Sequence, residues 1–124
     1  MIGAFVADSM GSLEEFEQDP VPEERLANSL AMPGGGPHRV GPGQITDDSE
    51  MAMCMAYGIT KSERQPGIVQ IDMNNIAEFY KEWINSLPFD IGFTTRDALG
   101  PLSDVKDPTD YCRVAKTMAY MNNK

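Results

Sequence analysis

Gln44-Ile45-Thr46-Asp47-Asp48-Ser49-Glu50-Met51-Ala52-Met53-Cys54-Met55-Ala56 is the stretch on which the reading of this chain turns. Thr46 and Asp47 are residue types that open helices, and Met51, Cys54, Met55 and Ile59 follow at the spacing of one helical face. Gly58, the polar run 60–65 and then Pro66-Gly67 mark the expected stop. The opening itself has two readings. A hydroxyl and two carboxylates on consecutive residues can converge on a hard divalent cation, which takes oxygen ligands. Asp47 with Glu50 also spells a capping box, which needs no ligand.

Outward from this helix, the same periodicity predicts four more. Residues 2–16 place Ile2, Phe5, Val6, Met10 and Leu13 on one face. Residues 17–45 are broken by Pro20, Pro22, Pro33, Gly34-Gly35-Gly36-Pro37 and Gly41-Pro42-Gly43, leaving room for one helical turn near residues 23–30. A helix over 74–86 turns Ile76, Tyr80, Trp83, Ile84 and Leu87 inward, with Pro88 closing it. A short one runs from Thr94 or Thr95 to Gly100-Pro101. The last begins after Asp107 with Pro108 at its first position and Asp110 in its first turn. Tyr111, Val114, Ala115, Met118 and Met121 form its stripe. Strand-like alternation at 68–71 is too short for a sheet, so the fold class is all-α.

With 124 residues, 41% of them hydrophobic, the chain suits one modest domain and is not compositionally disordered. Ten basic against nineteen acidic residues give a formal charge of −9. That balance argues against nucleic acid as a partner, because phosphate backbones are held by lysine and arginine. It suits hard cations. No apolar run approaches the roughly 20 residues of a membrane helix. The apolar start lacks a basic region and meets Asp8 early, so neither membrane nor secretion is expected, and a cytoplasmic location is. Cys54 and Cys112 lack metal or redox spacing and read as free thiols. His38 is the only histidine, which excludes sites built on several imidazoles and points catalysis toward carboxylates.

Ala7-Asp8-Ser9-Met10-Gly11-Ser12-Leu13-Glu14-Glu15-Phe16 is the second stretch with chemical potential. A carboxylate here could act as a general base or orient water; a solvated acidic helix end is the plainer reading. Gly34-Gly35-Gly36 offers backbone amides but lacks the strand–turn–helix setting and following lysine of a phosphate loop. Thr94-Thr95-Arg96-Asp97 reads as a helix cap.

In this order the segments resemble the ADP-ribosylglycohydrolase family. That family opens with a helix of the form G-A-x-x-G-D-A-x-G-x-x-x-E-F, matched here by Gly3-Ala4 and then Ala7 to Phe16. A glycine-rich loop leads into P-G-x-x-T-D-D-T-x-M-A, matched from Pro42 to Ala52. Tyr80, Trp83, Ser86, Pro88, Asp90, Gly92 and Thr94-Thr95 fit the segment that follows.

The resemblance implies an incomplete orthogonal helical bundle, with residues 1–124 as the N-terminal portion of one domain and the Gly/Pro-rich loop 17–45 inside it. It further implies a hydrolase that cleaves the bond at the anomeric carbon of ADP-ribose linked to an acceptor. Thr46, Asp47 and Asp48 would supply the first half of a two-metal site for magnesium or manganese. Glu15 would be the catalytic acid/base, and Asp8 would support the metal ligands rather than bind metal. ADP-ribose or an ADP-ribosylated protein is the implied partner. Family members are longer and carry N-G-x-x-M-R and D-x-D-T segments that this sequence lacks. The chain by itself is therefore expected to be inactive without a complementing chain, or to be a non-catalytic remnant binding a cation or partner.

Overall fold

The computed structural model describes residues 1–17, 20–62, 64–65 and 68–122, with backbone alone at 64, 65, 68 and 69. The expected Pro66-Gly67 turn and the end at Asn123-Lys124 lie outside the described residues. Among the described residues, six α-helices follow in chain order: α1 (Ile2–Gly11), α2 (Glu23–Ser29), α3 (Asp47–Lys61), α4 (Met73–Asn85), α5 (Phe93–Leu99) and α6 (Tyr111–Asn122). Between α3 and α4, β1 (Arg64–Gln65) and β2 (Ile68–Val69) pair antiparallel, Arg64 opposite Val69. The fold is all-α apart from this ladder. Among the described residues, no helix is long and apolar enough to cross a membrane. The chain divides into two compact units, Met1–Glu50 and Met51–Lys124.

In the second unit, the core is Ala77, Trp83, Leu99, Leu102 and Tyr111, with Met51, Cys54, Tyr80 and Ile84 packed against it. Polar groups fix the helix ends around that core. The Asp72 carboxylate caps α4 by accepting from the Asn74 amide at 2.8 Å. Asn74 in turn accepts from the Cys112 amide at 3.0 Å, tying the start of α4 to that of α6. The Ser62 hydroxyl donates to the Gly58 carbonyl at 2.9 Å and accepts from the Asp72 amide at 3.0 Å. Lys81 donates to the Val105 carbonyl and lies 4.7 Å from the Tyr111 ring centroid, a cation–π contact. Asp107 caps a 3-10 turn (Pro108–Asp110) that leads into α6. Cys54 and Cys112 are not joined in a disulfide.

Several expectations are corrected. Gly58 does not stop α3, which continues to Lys61. A Cβ there would stand 2.5 Å from the Ile76 Cα, so the glycine serves close approach of α3 and α4. Leu87, expected inward, is 85% exposed at φ +59°, because α4 has already ended and the chain reverses there. Met55 and Met121 are exposed as well. In the first unit, α1 does not bury its apolar stripe: Ile2 is 81% exposed and Val6 is exposed, whereas Ser9 and Ser12 are buried. The Gly36 turn packs directly on the backbone at Ser12. A Cβ on Gly36 would meet the Ser12 carbonyl oxygen at 2.4 Å.

Candidate functional site

The first unit brings both chemically suggestive stretches together through Asp8. One carboxylate oxygen of Asp8 accepts from the Thr46 amide at 3.0 Å and the Ser49 amide at 3.2 Å, and the other accepts from the Thr46 hydroxyl. Glu50 donates its amide to the Thr46 carbonyl, the first intrahelical bond of α3, so Thr46 occupies the cap position. A threonine cap ordinarily accepts from an amide of the first turn. Here that acceptor is Asp8, supplied by α1 from 38 residues away, and the Thr46 hydroxyl donates instead. Partial burial alone would raise the Asp8 pKa. The Thr46 hydroxyl and the two amides, with the Ser49 hydroxyl close by, outweigh it and hold the carboxyl below its ordinary value.

Thr46 is 6% exposed, Asp47 is half-buried and Asp48 is exposed. The three lie on consecutive residues of one turn and carry only oxygen donors, which suits a hard divalent cation. Because the Thr46 proton is engaged by Asp8, the lone pairs of that hydroxyl remain as its further binding capacity. The donor set therefore fits magnesium or manganese and offers nothing to a thiophilic metal.

The paired glutamates are separated by their partners. Glu14 accepts from Arg25 and, at 2.8 Å, from the Ser29 hydroxyl, and is locked onto α2. Glu15, half-buried, stands 3.2 Å from His38 Nε2. The glycine run reaches this place as a closed turn. Gly35 and Val40 exchange backbone hydrogen bonds of 2.8 and 3.0 Å, and Gly34, Gly35 and Gly36 all have positive φ. The Gly35 amide is already bonded to the Val40 carbonyl and is not offered to a phosphate. Sequence reasoning missed the Glu15–His38 contact, which joins two irregular segments with no shared period. The isolated histidine beside a glycine run was its only trace.

With this geometry described, the comparisons with known proteins define the class. The chain matches the ADP-ribosylglycohydrolase family over residues 1–121 and belongs to it. It is 39% identical over 103 residues to a protein of Acanthamoeba polyphaga mimivirus assigned as an ADP-ribosyl glycohydrolase, covering 80% of this chain and 29% of that one. It is 34% identical over 102 residues to an ADP-ribosylarginine hydrolase of Serratia proteamaculans, covering 80% and 26%. It is 32% identical over 95 residues to the ADP-ribosyl-(dinitrogen reductase) glycohydrolase of Rhodospirillum rubrum, covering 77% and 30%. The chain thus spans less than a third of the length of these relatives.

Proposed function

We propose that this chain is the N-terminal portion of one ADP-ribosylglycohydrolase domain and contributes half of a metal-dependent site for ADP-ribose linked to a protein acceptor. Thr46, Asp47 and Asp48 hold the divalent cation, magnesium or manganese. When bound, the cation supplies positive charge that orients sugar hydroxyls and stabilises developing charge near the scissile bond. Asp8 fixes the turn that carries these ligands, and Glu15 is the acid/base that moves a proton to or from the reacting water or leaving group. The remaining ligands and the phosphate-binding groups come from a complementing segment or chain. The observation that carries the reading is the Asp8 tether. A carboxylate of the family's opening helix motif grips the amides and hydroxyl of the family's T-D-D segment, so the two motifs form one constellation.

The test is release of ADP-ribose from an ADP-ribosylated arginine protein by the full-length protein carrying this sequence, with and without Mg²⁺ or Mn²⁺. The substrate follows from the relative that is an ADP-ribosylarginine hydrolase. Asp47→Ala with Asp48→Ala is expected to lower the rate at least about 100-fold with the helical circular dichroism unchanged. Undiminished hydrolysis in that variant refutes the metal assignment. Cation binding without any hydrolysis by the wild type favours the second reading, a non-catalytic cation-binding module.

A further inference from the structure

We infer that His38 is a positioning residue for Glu15: the turn 35–40 places its imidazole against the Glu15 carboxylate. This deepens the proposed function and rests on Glu15 having a role in hydrolysis. Three observations carry it. His38 Nε2 lies 3.2 Å from a Glu15 carboxylate oxygen, and His38 is the only histidine in the chain. The imidazole is mounted rigidly, because the Gly35–Val40 backbone pair and the Arg39 amide bond to the Gly36 carbonyl close the turn that carries it. That turn is seated on the segment bearing Glu15, since the Gly36 backbone approaches the Ser12 carbonyl too closely for any Cβ. On the other side, the Phe16 ring lies 5.8 Å from the imidazole, centroid to centroid.

The neighbouring glutamate shows what the arrangement selects. Glu14 is held by Arg25 and Ser29 and has only 12% of its side chain exposed, so it is committed to structure. Glu15 faces an imidazole instead of a guanidinium, and that contact holds its carboxylate in place. A glutamate has three side-chain torsions, and without a partner it samples several rotamers. Misplacement of a reacting group by about 1 Å lowers a rate by roughly 100-fold.

The test uses single-residue variants of the full-length protein. Gln places an amide nitrogen where Nε2 stands, whereas Asn reaches only the Nδ1 position. His38→Asn and His38→Ala should therefore lower kcat about 10- to 100-fold with KM changed by less than about threefold, and His38→Gln should stay within about threefold of wild type. In a Glu15→Gln background, His38→Ala should cause no further loss. Equal losses in both backgrounds, or wild-type kcat in His38→Asn and His38→Ala, overturn the inference. If Glu15→Gln itself leaves hydrolysis intact, the failure lies in the assignment of Glu15, and the inference falls with it. A readout independent of catalysis is the modification of Glu15 by a water-soluble carbodiimide, followed by peptide mass. It should be faster in His38→Asn than in wild type or His38→Gln, and an unchanged rate counts against the contact.

Discussion

Replacing Asp8 probes the tether most directly, and the choice of replacement separates geometry from charge. Thr46 and Ser49, whose amides Asp8 accepts, are 6% and 2% exposed. Asp8→Ala leaves both amides without their acceptor. An orphaned buried donor costs about 1–3 kcal/mol. Because Asp8 is itself only half-buried, water reaches part of the gap, and the low end of that range applies to each amide. Loss of a negative charge at the start of α3 adds about 0.3–1 kcal/mol. The expected total is about 3 kcal/mol. Asp8→Asn keeps one carbonyl oxygen for the two amides, and its NH₂ can donate to the Thr46 hydroxyl, which reverses its role. Only the charge assistance is lost, about 1 kcal/mol. Amide hydrogen exchange at Thr46 and Ser49 is the decisive assay: about 3 kcal/mol corresponds to roughly 100-fold faster exchange, and about 1 kcal/mol to roughly fivefold. Fluorescence is the wrong probe, because Trp83, the only tryptophan, lies in the second unit. Equal acceleration in the two variants would refute the geometric account, and no acceleration in either would refute the tether itself.

Four further outcomes follow from the same structure. Gly58→Ala should destabilise by about 1–3 kcal/mol in urea unfolding although alanine favours helices by about 1 kcal/mol, because its Cβ would stand 2.5 Å from the Ile76 backbone. Leu102→Ala should cost about 2–5 kcal/mol in thermal or urea unfolding, as Leu102 is fully buried in the second core. Glu14→Gln should shift unfolding of the first unit, followed by amide exchange in α2, whereas Glu15→Gln should leave it near wild type. Asp8 has a folded pKa held below its unfolded value, so its stabilisation is complete above about pH 4 and is lost as pH falls through the lowered folded value; an acid titration of Thr46 and Ser49 exchange should show this loss, and Asp8→Asn should remove it.

How far the sequence reached depended on whether a feature was local. Helix α2 falls within the predicted turn at 23–30 because prolines bound it, and Asp107 with Pro108 marks the start that leads into α6 through residue type alone. Apolar periodicity located α1 and α4, yet it misjudged Ile2, Val6 and Leu87. A stripe at helical spacing states which residues share a face, and it carries nothing about what lies opposite that face. The buried positions in and just after α1 are Ser9 and Ser12, which an apolar period passes over. Gly58 was misread for the same reason: a glycine that ends a helix and one that admits a neighbouring backbone are identical in sequence. The Asp8–Thr46 and Glu15–His38 contacts join residues with no common repeat, so neither could be derived from spacing. The family motifs named three of those four residues without stating that any of them touch, and His38 was outside them.

The electrostatics of the first unit explain why Asp8 and the T-D-D segment belong together. Asp47, Asp48 and Glu50 crowd the first turn of α3, and Asp8 adds a carboxylate beside its cap. A helix N-terminus offsets like-charge repulsion by only about 0.3–1 kcal/mol. Asp8 escapes that repulsion by accepting two amides and a hydroxyl, so its charge is neutralised by donors rather than by a counter-ion. One of those donors, the Ser49 amide, is the one a threonine cap at Thr46 would otherwise engage with its own hydroxyl oxygen. By taking it, Asp8 relieves Thr46 of its capping duty. A hydroxyl oxygen spent on its own helix start could not also offer that lone pair to a cation. In the proposed function, then, the family's opening helix acts as an external cap whose effect is to leave the Thr46 hydroxyl oxygen at the disposal of a ligand.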